Sequence, residues 1–195
     1  MCRRPGRAPC ADCAASLRRA PALPPPPGLD GCSSLLRYED TGRDLVTALK
    51  YRGGRDALAW ASVAMAGLLV PPPGVIVTWA PTSAARRRQR GFDQAELLAR
   101  AVAQRWGSPS AGLLRRGRGA PQTGRSAVER RGGPTFTVIR AVAATVVLVD
   151  DVVTSGATLT AAARALHAAG AGRVLGLTLA RTPLKSVSAS SDHRK

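Results

Sequence analysis

Asp150 and Asp151 stand side by side between Val146-Val147-Leu148-Val149 and the run Val152-Val153-Thr154-Ser155-Gly156-Ala157-Thr158. Two adjacent carboxylates can accept hydrogen bonds from sugar hydroxyls or hold a divalent cation. A small, hydroxylated, glycine-containing turn lets a backbone approach a phosphate closely. A helix that follows points unpaired N–H groups at the same anion. Carboxylates would repel a bare phosphate, so acids and turn together suit a phosphorylated sugar. Three neighbouring chemistries lack their residues. A Walker-type loop needs Gly-Lys-Ser/Thr, a dinucleotide fingerprint needs G-x-G-x-x-G, and the turn holds only Gly156. An aspartyl-phosphate phosphatase would carry its second Asp two residues after the first, where Val152 stands. An ordinary capped turn would need no pair of acids before it.

These residues need elements to hold them. Val146–Val149 is apolar and mostly β-branched, which predicts a buried strand over Thr145–Val149 ending at the carboxylates. Ala157–Ala169 has Leu159, Ala162, Ala163 and Leu166 on one helical face, with Gly170 as a C-cap. Val75–Trp79 and Val174–Leu179 read as further strands, and Leu35–Tyr38 as a short one. Gly42–Tyr51 and Asp56–Leu69 read as helices. Another starts near Asp93, which pairs with Glu96 as a capping box; Leu97, Leu98, Ala101, Val102 and Arg105 follow at helical spacing. Leu113–Gly133 is rich in Gly and Arg and reads as a long mobile loop. Strands alternating with helices predict an α/β fold, an open parallel sheet flanked by helices. In such sheets ligands bind outside the carboxyl ends of the strands, where Asp150 and Asp151 fall.

The 195 residues suit one domain with a small appendage. The predicted divisions are a cysteine-bearing N-terminus over 1–20, a Pro-rich linker over 21–30, the α/β domain over 31–185 and a disordered tail over 186–195. The net charge is +17, and nearly all the positive charge is Arg, with Lys only at 50, 185 and 195. Arg, Ala, Gly and Pro are abundant together, so codon bias of a GC-rich genome explains part of that charge. A polyanionic partner explains the remainder. The longest apolar stretch, Ala57–Val70, is too short to span a bilayer and reads as a core helix. With no secretory signal at the start, a cytoplasmic protein with reduced or metal-bound cysteines is expected. His167 falls inside a helical pattern and reads as structural.

The Asp-Asp-Val…Thr-Ser-Gly-Ala-Thr segment resembles the phosphoribosyl-diphosphate (PRPP) signature of type I phosphoribosyltransferases. Upstream, in order, come Leu49-Lys50-Tyr51-Arg52-Gly53, Arg86-Arg87-Arg88-Gln89-Arg90-Gly91-Phe92-Asp93-Gln94-Ala95 and Pro121-Gln122-Thr123-Gly124-Arg125-Ser126 with Glu129-Arg130. That order resembles the ComF family of competence-associated proteins along nearly the whole chain. Asp93 stands where the family usually has Asn, a swap that a helix cap tolerates.

The resemblance implies a type I phosphoribosyltransferase-like fold that binds PRPP with Mg²⁺ and transfers its sugar to an unidentified acceptor. Asp150 and Asp151 are the implied catalytic pair, facing the ribose hydroxyls. Thr154, Ser155, Gly156, Ala157 and Thr158 would hold the 5-phosphate. The diphosphate would lie near Ala80-Pro81-Thr82-Ser83 and the guanidinium groups of Arg86 and Arg90, whose forks suit phosphate oxygens. Gln122, Thr123, Arg125 and Arg130 are candidates for a lid that excludes water. Lys50-Tyr51 is either near the acceptor pocket or a plain helix C-terminus.

The family also implies structural Zn²⁺ on two C-x-x-C pairs. Cys10 and Cys13 form one pair, while Cys2 stands alone, one ligand short of a tetrahedral site. Cys32 could be the fourth, or a cysteine could precede Met1 if translation starts slightly upstream. A role in DNA uptake follows from the family, with single-stranded DNA or competence-machinery proteins as partners. The alternative is a non-catalytic nucleotide sensor, or a DNA- or protein-binding adaptor, on the same fold.

Overall fold

The structure, a computed structural model, describes residues 8–49, 54–117 and 133–183. Four strands form one parallel sheet: β1 (Gly31–Arg37), β2 (Ile76–Trp79), β5 (Thr145–Val153) and β6 (Arg173–Arg181), in the order β1-β6-β5-β2. The expected open parallel α/β sheet is therefore present. Two short strands, β3 (Leu114–Arg116) and β4 (Phe136–Val138), pair antiparallel beside it.

Alternation along β5 divides the core into two layers. Val147 and Val149 pack with Leu175, Leu177 and Leu179 of β6 under α2 (Asp40–Ala48), α3 (Arg55–Ala66) and α5 (Gln94–Trp106). Val146 and Leu148 face the other way, with Val174, onto Leu159, Ala162, Ala163 and Leu166 of α6 (Ala157–Ala168). Both faces are covered, which is why these strands read as continuous apolar runs. Gly170 follows the end of α6 at φ +97°, the left-handed turn that a glycine supplies.

The sheet's outer edges are also occupied. Ala20 N–H donates to Leu35 O, and Arg37 N–H to Arg18 O, along β1. On the opposite edge Val77 N–H donates to Pro109 O, and Ala111 N–H to Val77 O. These bonds occupy part of each edge and reduce the backbone template on which another chain could pair.

Several elements depart from the sequence reading. β5 continues four residues past Val149, carrying both carboxylates inside the strand. β1 spans Gly31–Arg37, earlier and longer than Leu35–Tyr38. The stretch read as one mobile loop contains β3, whose partner β4 follows in the chain and whose Leu114 is buried in the core beside α6. The arginine run, for which no element was expected, forms a two-turn helix, α4 (Ala84–Arg90), started by Ser83 and stopped by Gly91 at φ +80°.

The proline-rich stretch lies along the domain. Arg181 donates through Nη2 to Pro24 O at 2.8 Å, and His167 faces Gly28 O with Nε2 at 3.1 Å. The other ring nitrogen, Nδ1, lies 3.0 Å from Ala171 O. His167 thus has backbone partners at both nitrogens, in keeping with a structural role.

Candidate functional site

At the carboxyl end of β5 the odd–even alternation lapses. Val152 packs against the layer that holds Val147 and Val149, and Val153 against the layer that holds Val146 and Leu148. The change of face happens across Asp150 and Asp151. Asp151 N–H donates to Asp150 Oδ1 at 2.8 Å, and Val152 N–H to Asp151 Oδ1 at 2.7 Å. Each carboxylate therefore steadies the backbone of the residue after it and keeps a second oxygen for other work.

The chain then turns through Thr154-Ser155-Gly156 into α6. Gly156 is the N-cap and sits at φ +78°, a conformation that suits glycine. The first amides of α6 have no partner within the helix. Asp150 and the residues from Val152 to Leu159 line a small recess of about 30 Å³ there. Pro26 backs this turn. A Cβ built on Gly156 would lie 2.9 Å from Pro26 Cβ.

A larger cleft of about 380 Å³ opens beside the recess. It gathers Asp150, Asp151, Thr154 and Thr158 from β5 and α6 with Arg86 and Arg90 from α4. Six of the residues singled out in the sequence thus share one cavity, and Ser155, Gly156 and Ala157 line the adjoining recess. The cleft also holds Thr82, from the loop expected to lie near the diphosphate, and four residues for which no binding role was expected: Tyr38, Asp93, Gln94 and Arg116.

Asp93 shows how the α4–α5 corner is held. Its Oδ1 accepts from Ala95 N–H at 3.1 Å and caps α5; its Oδ2 accepts from Thr82 N–H at 2.7 Å. One carboxylate thereby ties the loop after β2 to the start of α5. Glu96 turns away from the cap to Arg100, at 2.9 Å, so only half of the expected capping box forms. Arg116 comes from β3. Its guanidinium lies over the Phe136 ring, 5.5 Å from the centroid, and donates to Pro81 O at 3.2 Å.

The charges strain against one another. Burial pushes the Asp150 carboxyl well above the usual carboxylate range, and neighbouring Asp151 and Asp93 add to the shift. Part of Asp150 faces the cleft, yet its carboxyl is hemmed in enough for desolvation to dominate. Burial also raises Asp93, against the pull of its N–H donors. Arg116 is lowered by burial and by Arg86. A cleft with acids on one wall and guanidinium groups on another can receive a ligand that has hydroxyls at one end and phosphates at the other.

Other expectations find less. Cys10 is the N-cap of α1 (Ala11–Ala15), and Cys13 is buried within it. Among the described residues no group of three or more His, Cys, Asp or Glu side chains is gathered as a metal ion requires, and Cys32 lies on β1. The described residues by themselves do not complete a tetrahedral Zn²⁺ site. Cys2 lies outside them, as do Lys50, Tyr51, the lid candidates Gln122, Thr123, Arg125 and Arg130, and the tail. Among the described residues no helix is long and apolar enough to cross a membrane.

Residues 95–188 match the model of the phosphoribosyl transferase domain. That stretch contains α5 from its second residue onward, Arg116, both carboxylates, the turn and α6. A search of curated proteins returns no significant match. Similar solved structures include an allosteric regulatory enzyme of purine biosynthesis, at 20% identity and a TM-score of 0.47. That match covers 68% of this chain and only 30% of the other. Adenine phosphoribosyltransferase from Leishmania tarentolae matches at 17% identity and a TM-score of 0.39, over 65% of this chain and 71% of that one. A purine phosphoribosyltransferase from Pyrococcus horikoshii Ot3 matches at 17% identity and a TM-score of 0.30, over 80% and 81% of the two chains.

Proposed function

We propose that this chain, which carries a phosphoribosyl transferase domain over residues 95–188, binds PRPP in the cleft at the end of β5 and transfers its ribose 5-phosphate to an acceptor. One observation carries this reading: adjacent carboxylates, an open helix-start turn and a guanidinium cluster line one continuous site. The turn from Thr154 to Thr158 receives the 5-phosphate on hydroxyls and first-turn amides. Asp150 and Asp151 accept the ribose hydroxyls. Arg86 and Arg90 face the diphosphate.

In the transfer, the acceptor's nucleophile bonds to C1 of the ribose as the C1–oxygen bond breaks. The electron pair departs on diphosphate. Positive charge grows on the sugar beside the carboxylates, while the guanidinium groups stabilise the leaving anion, each from a fixed position. The oxygens of Asp150 and Asp151 also suit a hard cation. Mg²⁺, when bound there, supplies further positive charge to the diphosphate.

Calorimetric titration with PRPP and Mg²⁺, followed by a diphosphate-release screen across nucleobases and amines, tests this. The reading requires binding and turnover that Asp150→Asn with Asp151→Asn abolishes. The motif order further supports membership of the ComF family, with a cytoplasmic role in DNA uptake.

A second reading draws on the exposed Arg87 and Arg88 of α4: a non-catalytic adaptor that binds nucleic acid there. Tight PRPP binding without turnover on any acceptor, beside salt-sensitive DNA binding that survives loss of both carboxylates, selects it.

A further inference from the structure

The α4–α5 corner holds one buried polar group without a partner among the described residues. Gln94 is the first residue of α5, lines the cleft and is only 4% exposed. Its Oε1 accepts from Arg90 Nη1 at 2.9 Å. A guanidinium can only donate, so this bond fixes which end of the amide is oxygen. The other end, Nε2, is therefore a committed donor. It is buried and has no hydrogen-bond partner among the described residues.

A buried donor without an acceptor is an unfavourable arrangement that folds rarely keep. Here it persists at the wall of a cleft, next to guanidinium groups, at a position fixed from both sides. Asp93, the residue before Gln94, is itself tied to Thr82 N–H and Ala95 N–H. Gly91, left-handed at φ +80°, turns the chain so that Arg90 at the end of α4 meets Gln94 at the start of α5. An acceptor oxygen that reaches both groups must suit a neutral N–H and a cation a few ångströms apart. A diphosphate oxygen does, and a ribose hydroxyl has no need of the cation.

We infer that Gln94 is a diphosphate-binding residue, its Nε2 donating to a diphosphate oxygen beside Arg90. The inference rests on the PRPP reading and adds to it. It gives the diphosphate a third binding side chain, and Arg90 a fixed orientation before ligand arrives. Binding then supplies the acceptor that the free protein lacks, so part of the affinity comes from relief of an existing defect.

The test measures inorganic diphosphate, ribose 5-phosphate and PRPP on the full chain by calorimetry with Mg²⁺, for wild type, Gln94→Met and Gln94→Glu. Met keeps the volume and removes the donor. Glu keeps the acceptor for Arg90 and puts a second oxygen where the donor stood. Expected is a loss of about tenfold or more in diphosphate and PRPP affinity for Met, since bonds to charged groups are the stronger class. Glu should lose more, and ribose 5-phosphate should change less than twofold in either variant. Circular dichroism confirms that both variants fold. Unchanged diphosphate binding in folded Gln94→Met, alongside wild-type PRPP binding, overturns the inference and leaves the PRPP reading standing; Nε2 would then serve only a bound water. An equal loss for all three ligands also overturns it. Should wild type bind neither PRPP nor diphosphate, the functional reading falls and this inference with it.

Discussion

Gly156→Ala tests whether the proline-rich stretch shapes the turn ahead of α6. Two separate penalties apply. Gly156 sits at φ +78°, and an L side chain in the left-handed region costs about 1–2 kcal/mol. The new methyl would also lie 2.9 Å from Pro26 Cβ and 3.0 Å from Pro26 Cγ. Forcing an extra carbon into filled space costs about 1–3 kcal/mol more. Against both stands a gain of about 0.4–1 kcal/mol from the stiffer unfolded chain. The net loss should be about 2–4 kcal/mol.

Gly74 isolates the first penalty. It sits at φ +66° with nothing within 4 Å of an added Cβ, so Gly74→Ala should lose only about 0–1.6 kcal/mol. Equilibrium urea unfolding measures both. With a slope of about 2 kcal/mol per molar, Gly156→Ala should lower the midpoint by about 1 M or more. Pro26→Gly removes both colliding carbons. Combined with Gly156→Ala it should recover about 1–2 kcal/mol relative to additivity, an effect that a double-mutant cycle resolves. If Gly156→Ala costs no more than Gly74→Ala, or the cycle shows no coupling, Pro26 does not press on the turn and this account of its shape is wrong.

Three further outcomes follow from the cleft. Because the Asp150 carboxyl is raised by burial and by Asp151, its contribution to stability is present below the ordinary carboxylate pKa and is lost as pH rises through its folded value. Melting temperatures from acidic to neutral pH should therefore show Asp150→Asn gaining on wild type as pH increases; a constant offset would contradict this. Asp93→Ala strips acceptors from both Thr82 N–H and Ala95 N–H and should cost about 2–3 kcal/mol in urea unfolding, while weakening diphosphate binding by loosening the loop after β2. Arg116→Ala should weaken PRPP binding about tenfold or more, and Arg116→Lys should not restore it, because Lys lacks the planar fork that lies over Phe136 and reaches Pro81 O. Calorimetric recovery with Lys would show that charge alone matters there.

Local signals were strong wherever one interaction dominated. Val146–Val149 could be read as a strand because both of its faces are buried, and α6 because its four core residues recur at helical spacing. The carboxylates and the turn were legible because they are adjacent in the chain. Asp93 was legible as a cap because its bond to Ala95 N–H is local; its bond to Thr82 N–H spans eleven residues and left no trace in the pattern. The end of β5 was misplaced because acids usually stop a strand. Here their oxygens take the following N–H groups and the strand continues.

Arg116 marks the limit of that kind of reading. Nothing in Leu114-Arg115-Arg116 separates it from the other arginines of a basic chain, and a three-residue strand has too little periodicity to declare itself. Its place is set by β4, twenty residues further on, which pairs with β3 and brings Phe136 under the guanidinium. Gln94 is the contrasting case. It belongs to the run Arg90-Gly91-Phe92-Asp93-Gln94-Ala95 and was in view from the start, yet that run could be explained as a helix cap through Asp93 alone. Only the geometry separates the two residues' work. Asp93 has both oxygens occupied by the backbone, whereas Gln94 has one end held by Arg90 and the other without a partner among the described residues. A cap requires the first residue and not the second, so the glutamine needs a reason of its own, and the ligand side of the cleft supplies one.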